Sequence, residues 1–97
     1  MSGRILLDLN FPKFQDELLA LESDELRTVV KTLRKLRSME WNALYQDHGF
    51  KWEAIKFLPG KFTIRLSKRS RAVVLREGDF IRFMALHTDH DSAYGKK

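Results

Sequence analysis

Between Lys61 and Tyr94 short apolar runs alternate with polar residues and are broken by turn-forming residues, and no other part of the chain narrows the possible folds as much. Phe62, Ile64 and Leu66 alternate with Thr63, Arg65 and Ser67, the period of a strand with one buried face. Ser67-Lys68-Arg69-Ser70 reads as a turn. Arg71 to Arg76 is β-branched and apolar, which suits a central strand. Glu77-Gly78-Asp79 reads as a hairpin loop with glycine to take positive φ. Phe80 to Leu86 is the last strand, with Ile81, Phe83 and Ala85 expected on one face and Arg82 on the other. The polar run His87-Thr88-Asp89-His90-Asp91-Ser92-Ala93-Tyr94 follows.

The first half of the chain reads as support for this sheet. Arg4 to Leu9 is short and apolar-rich and is expected to be an edge strand. Asn10 is placed to cap a helix, and Pro12 suits its first turn, where a missing N–H does no harm. Phe11, Phe14, Leu18 and Leu21 then share one helical face. Glu22-Ser23-Asp24 interrupts that pattern, with Ser23 or Asp24 as cap of a second helix. There Leu26, Val29, Val30, Leu33 and Leu36 form the apolar stripe, and Arg27, Lys31, Arg34, Lys35 and Arg37 cover the other side. The acidic start and basic end suit the helix dipole. Two helices with so short a break should form an antiparallel hairpin. Trp41, Leu44 and Tyr45 suggest one further helical turn, ended by Gly49, with the aromatics in the core. Lys51 to Leu58 is expected to be a strand, closed by the turn signal Pro59-Gly60.

This order predicts an α+β fold. An N-terminal strand and an antiparallel helical hairpin precede a twisted, mainly antiparallel sheet of about four strands. The helices pack on one face of the sheet, and the other face keeps the arginines. A chain of 97 residues is one small domain, spanning 1–97. It has no cysteine, and so no disulfide framework and no thiolate metal site, which suits the cytoplasm. Its apolar runs are too short to span a membrane, and Met1-Ser2-Gly3-Arg4 lacks the apolar region of a secretory signal. Residues 1–47 carry 7 Lys/Arg against 8 Asp/Glu, whereas residues 48–97 carry 11 against 5. A positive field on the strand-bearing half favours a polyanionic partner, although a solvated basic surface is also consistent with it.

Three segments taken together resemble the RelE/ParE toxin superfamily. Gly49 to Leu58 (GFKWEAIKFL) is similar to the segment before that family's second strand, with Phe50 and Ala54 departing from the usual Leu and Lys. Phe62 to Leu75 (FTIRLSKRSRAVVL) matches the paired strands, where Arg65 and Arg71 fall on the family's two arginines. His90, Asp91 and Tyr94 match its tail motif. The helical hairpin fits as well, so the resemblance covers nearly the whole chain. Relatives often continue into a short C-terminal helix, whereas this sequence ends three residues after Tyr94.

The resemblance implies a toxin of a type II toxin–antitoxin pair, with a cognate antitoxin protein as partner. Many relatives are endoribonucleases that cut mRNA on the ribosome. Others poison DNA gyrase, and related domains occur as recruitment modules of helicase-like proteins. A metal-free ribonuclease must take a proton from a ribose 2′-OH, stabilise charge on the phosphorane, and protonate the leaving 5′-oxygen. The planar fork of arginine suits the middle task, and histidine titrates near neutrality and can serve either end. A tyrosine ring can stack on an unpaired base. The catalytic set expected on this basis is Arg65, Arg71, His90, Asp91 and Tyr94, with no metal and no cofactor. His87 and Asp91 stand beside His90 as candidates for the proton carrier. Lys51, Lys56, Lys61, Lys68, Arg69 and Arg82 are candidate RNA contacts. Other readings stay open at this stage. Arg65 and Arg71 could pair with Glu53 or Glu77 across strands. His87, Asp89, His90 and Asp91 could hold a metal. A non-catalytic interaction domain would need no acid–base cluster.

Overall fold

The computed structural model describes residues 3–88. The elements run β1 (Leu6–Asp8), α1 (Pro12–Leu19), α2 (Ser23–Arg37), α3 (Trp41–Gln46), β2 (Glu53–Ala54), β3 (Phe62–Arg65), β4 (Ser70–Glu77) and β5 (Phe80–Thr88). Five strands form one sheet in the order β1-β5-β4-β3-β2. β1 runs parallel to β5 at the edge, and every other pairing is antiparallel. The fold is the expected α+β arrangement.

Two turns set the register. Lys61 N–H donates to the Leu58 carbonyl at 2.9 Å across Pro59-Gly60. Gly60 takes φ 81° there, as the third residue of a type II turn requires. Glu77 pairs with Phe80, leaving a two-residue loop whose first member, Gly78, has φ 61°. A tight hairpin with positive φ at that position favours glycine.

The core lies between the helices and one face of the sheet. Phe14 of α1 meets Phe83 of β5 with ring centroids 5.1 Å apart. Val29, Leu33 and Leu36 of α2, with Trp41 and Leu44 of α3, close over Ile64, Ala72, Val74 and Ile81. The N-terminal segment is tied in by the backbone: Ile5 N–H donates to the Met39 carbonyl and Leu6 N–H to that of Asp79. Above its pairing with β1, the free edge of β5 is covered by α1. There the Leu86 N–H donates to Glu17 Oε1 at 2.8 Å.

Several expectations are corrected in detail. The residue at the start of α1 is Phe11, not Asn10, and Glu22 rather than Ser23 or Asp24 precedes α2; neither makes a side-chain cap. Asn10 instead donates its N–H to Asp8 Oδ1, which bends the chain before the helix. The buried stripe of α2 is Glu25, Val29, Leu33 and Leu36, whereas Val30 is exposed. Adjacent residues lie about 100° apart on a helix, so Val29 and Val30 do not both face inward. Tyr45 is 49% exposed rather than in the core. The strand expected from Lys51 to Leu58 shrinks to Glu53–Ala54, because Leu58 N–H turns back to the Ile55 carbonyl. Phe57 is left 85% exposed on that turn.

β5 also departs from simple alternation. Val73 pairs with Ala85 and Val74 with Phe83, so Met84 is an extra residue, a β-bulge. Ile81 and Phe83 face the core, but beyond Met84 the phase switches. Leu86 pairs with the buried Ala72, while Ala85 joins Val73 on the opposite face. One inserted residue turns every later side chain over.

Candidate functional site

β3 is short and ends at Arg65, and β4 begins at Ser70; between them Ser67 to Ser70 makes a tight turn. Ser67 Oγ accepts the N–H groups of Arg69 at 3.1 Å and Ser70 at 3.0 Å. The hydroxyls of Ser67 and Ser70 both donate to Glu25 Oε2, reaching up from α2. Glu25 is only 9% exposed. A buried carboxylate is costly unless hydrogen-bonded, and here it fixes the turn onto the helix. Ser70 Oγ also lies 3.2 Å from Thr88 Oγ1, which ties in the end of β5. Spacing alone placed charge on the solvent side of α2, so Glu25 had no signal in the sequence beyond its position four residues before Val29.

On the sheet face opposite the core, Arg65 pairs with Arg71 and Arg71 with His87. Directly paired residues project from the same face, so these three form one row across β3, β4 and β5. His87 is there because of the bulge at Met84. Arg71 and His87 are exposed and Arg65 is half-buried. Like charges side by side are unfavourable. Among the described residues neither arginine has a carboxylate within ion-pair distance. The cross-strand pairings with Glu53 or Glu77 are therefore not made. Arg65 Nε donates instead to the Ser67 carbonyl at 3.2 Å, which orients the guanidinium.

Two adjoining depressions flank this row. One, of about 370 Å³, is bordered by Lys35, Asp47, Phe50, Arg65 and Lys68. The other, of about 300 Å³, is bordered by Lys68, Arg69, Arg71, His87 and Thr88. Lys68 stands between them. Three candidate contacts lie elsewhere. Lys51 is exposed after α3, and Lys56 and Lys61 sit on the β2–β3 connection. His90, Asp91 and Tyr94, and Asp89 with them, lie outside the described residues.

Two arginines turn out to be engaged in the fold. Arg82 Nε meets Asp8 Oδ2 at 3.0 Å and its Nη1 meets Glu77 Oε1 at 2.8 Å. The Glu77 hydrogen bond and charge, with Asp8 behind them, raise its pKa further, so it stays protonated and its charge is balanced at short range. Arg76 lies on the helix side, not with the other arginines: its guanidinium is 4.0 Å from the Trp41 ring centroid and donates to Tyr45 Oη at 2.9 Å. Near the other end of β5, burial works to raise the pKa of Glu17. Hydrogen bonds from Lys13 and the Leu86 N–H, with the charges of Lys13 and His87, outweigh it and lower the pKa overall. Among the described residues no three His, Cys, Asp or Glu side chains are gathered as a metal site. No described helix is long and apolar enough to cross a membrane.

Chemically, the row offers two planar cations able to hold phosphate oxygens in pairs, with an imidazole next in line. No family model and no curated protein matches the chain. Among solved structures, a copper-bound mutant toxin from Helicobacter pylori is similar at 22% identity, over 93% of this chain and 99% of its own, with a TM-score of 0.49. A likeness of that degree says nothing of activity.

Proposed function

We propose that this chain is the toxin of a toxin–antitoxin pair and acts as an endoribonuclease on single-stranded RNA, inhibiting translation by cutting mRNA on the ribosome. The observation that carries the reading is the row Arg65–Arg71–His87 on the open sheet face. The resemblance of the paired arginines and of the tail to RelE/ParE toxins supports it.

In this scheme a base removes the ribose 2′-OH proton, and the oxygen attacks the adjacent phosphorus. The bond from phosphorus to the 5′-oxygen breaks, that oxygen takes up a proton, and a 2′,3′-cyclic phosphate remains. Arg71, with Arg65 beside it, binds the non-bridging oxygens as charge builds on the phosphorane. His87 sits one strand away from Arg71 and can carry a proton, as can His90 or Asp91 of the tail. Tyr94 is assigned to stacking on an unpaired base. None of these steps draws on a metal or a cofactor held by the protein.

A cognate antitoxin is the expected partner. Its inhibitory segment should be acidic, because the half of the chain that it must cover is strongly basic. The test is induction of the chain alone in a bacterial host, with mapping of mRNA 5′ ends. Growth arrest with new 5′ ends inside coding regions supports the reading. Normal growth at high soluble expression counts against it.

A further inference from the structure

We propose that an aromatic pocket at the α3–β2 corner holds an unpaired base of the RNA, and that a continuous track joins it to the arginine–histidine row. The substrate class rests on the ribonuclease reading above; the pocket is argued from its own residues.

The pocket encloses about 310 Å³ and is bordered by Tyr45, Asp47, His48, Lys51, Trp52 and Glu53. Its two rings are held from behind. Trp41 lies 5.6 Å from Tyr45 and 5.5 Å from Trp52, and Tyr45 and Trp52 meet edge-on at 5.9 Å. Trp52 also stacks on Phe62 at 4.8 Å. Arg76 donates to Tyr45 Oη and so fixes the outer ring. A rigid, half-exposed aromatic surface loses little entropy when a base stacks on it, and every base has a π-face to offer. Lys51 brings a cation to the rim. It does so from the left-handed region, φ 49°, the sole non-glycine residue with positive φ among the described residues. Asp47 and Glu53 would repel a phosphate or an acidic peptide here, but can accept from the amino groups of a base.

From this pocket the depressions follow one another through shared lining residues. Asp47 borders both it and the next depression, where Lys35, Arg65 and Lys68 supply positive charge. Lys68 in turn borders the depression of Arg71 and His87. The order of neighbours is therefore aromatic pocket, the depression with Lys35, Arg65 and Lys68, then the arginine–histidine row. That combination of stacking platform and positively charged groove is how single-stranded nucleic acid is held.

The chain reports on this pocket by itself. It has two tryptophans, and Trp41 is 1% exposed, so a ligand in the pocket acts on Trp52. The full chain is titrated with 2′-O-methyl oligoribonucleotides of graded length, which lack the attacking hydroxyl. Tryptophan emission should be quenched, and Trp52→Phe should abolish the quenching. Tyr45→Ala should weaken binding of the longer oligomers about five- to hundredfold, while Tyr45→Phe, which keeps the ring, should bind nearly as the parent does. Binding without quenching, or equal binding by Tyr45→Ala, overturns the proposal. Equal quenching by an oligoglutamate overturns it too, and marks a protein-binding surface. Quenching by unmodified RNA, with mRNA left uncut when intact ribosomes are added, supports the pocket and overturns the ribonuclease reading instead.

Discussion

His87 stands opposite Arg71 because β5 carries one residue, Met84, that β4 does not match. With plain alternation from Ile81, the side chain of His87 would point toward the helices and Leu86 would point to solvent. The bulge reverses both. It places the imidazole on the arginine face and Leu86 in the core. Bulges commonly re-aim a side chain near a functional site.

Deleting Met84 should therefore be tolerated, because Ala85 then follows Phe83 directly while Leu86 stays opposite Ala72 and His87 opposite Arg71. Leu86→Asp, which puts a charge into the core, should cost more than about 3 kcal/mol. The deletion should cost less than about half of that. Urea unfolding midpoints of the two variants check this, and a deletion as damaging as Leu86→Asp would contradict the assigned role of the bulge.

Glu25 should matter out of proportion to its place on a helix that is otherwise basic outside. Glu25→Ala leaves the Ser67 and Ser70 hydroxyls without this acceptor, which should cost about 1.5–3 kcal/mol. The turn bearing Lys68 and Arg69 loosens with it, so RNA affinity should fall in the same variant. An unchanged urea midpoint would show that the carboxylate does not anchor the turn.

Arg82 and Lys68 were equal candidates for RNA contact on sequence, and the structure separates them. The charge of Arg82 is already met by Asp8 and Glu77. Lys68 is exposed between two basic depressions. Lys68→Ala should weaken binding and flatten the salt dependence by about 0.7 in log–log slope, the share of one phosphate on a single strand. Arg82→Ala should leave that slope nearly unchanged. The reverse result would move the RNA path toward β1.

The lowered pKa of Glu17 fixes the sign of one pH effect. A carboxylate whose folded pKa is depressed contributes stability that is fully present above its ordinary value of 4.5. That contribution disappears as pH falls through the depressed value. Glu17→Gln should therefore be destabilising at pH 7 and less so at a pH well below 4.5. Denaturation midpoints at the two pH values decide it; an equal loss at both would mean that the ion pair and hydrogen bonds of Glu17 contribute nothing specific to its ionised form.

The strands and helices were legible because each follows a local period, and the turns because Pro59-Gly60 and Gly78 carry their own signal. The register of Arg65 on Arg71 follows from the tightness of one turn. Three features were not legible. The bulge at Met84 is one residue in a run of good strand formers, with nothing in composition to mark it. Glu25 reads as a solvent-side charge until Ser67 and Ser70 arrive from far along the chain. Arg76 reads like any strand arginine, and only the fold brings Trp41 beneath it. For Glu25 and Arg76 the deciding contact is distant in sequence. The tail residues His90, Asp91 and Tyr94 carry the resemblance but lie beyond the described residues, so their place beside the row rests on sequence.

The central claim is that paired arginines stabilise charge in RNA cleavage. The most direct measurement is single-turnover cleavage of a short mRNA on intact, magnesium-supported ribosomes, by the parent chain and by Arg71→Ala. The account predicts cleavage by the parent with a 2′,3′-cyclic phosphate product. It predicts a drop of about a hundredfold or more in the Arg71→Ala rate, with binding of the uncut RNA only modestly weaker. Equal rates for the two proteins, or no cleavage by the parent, would contradict it.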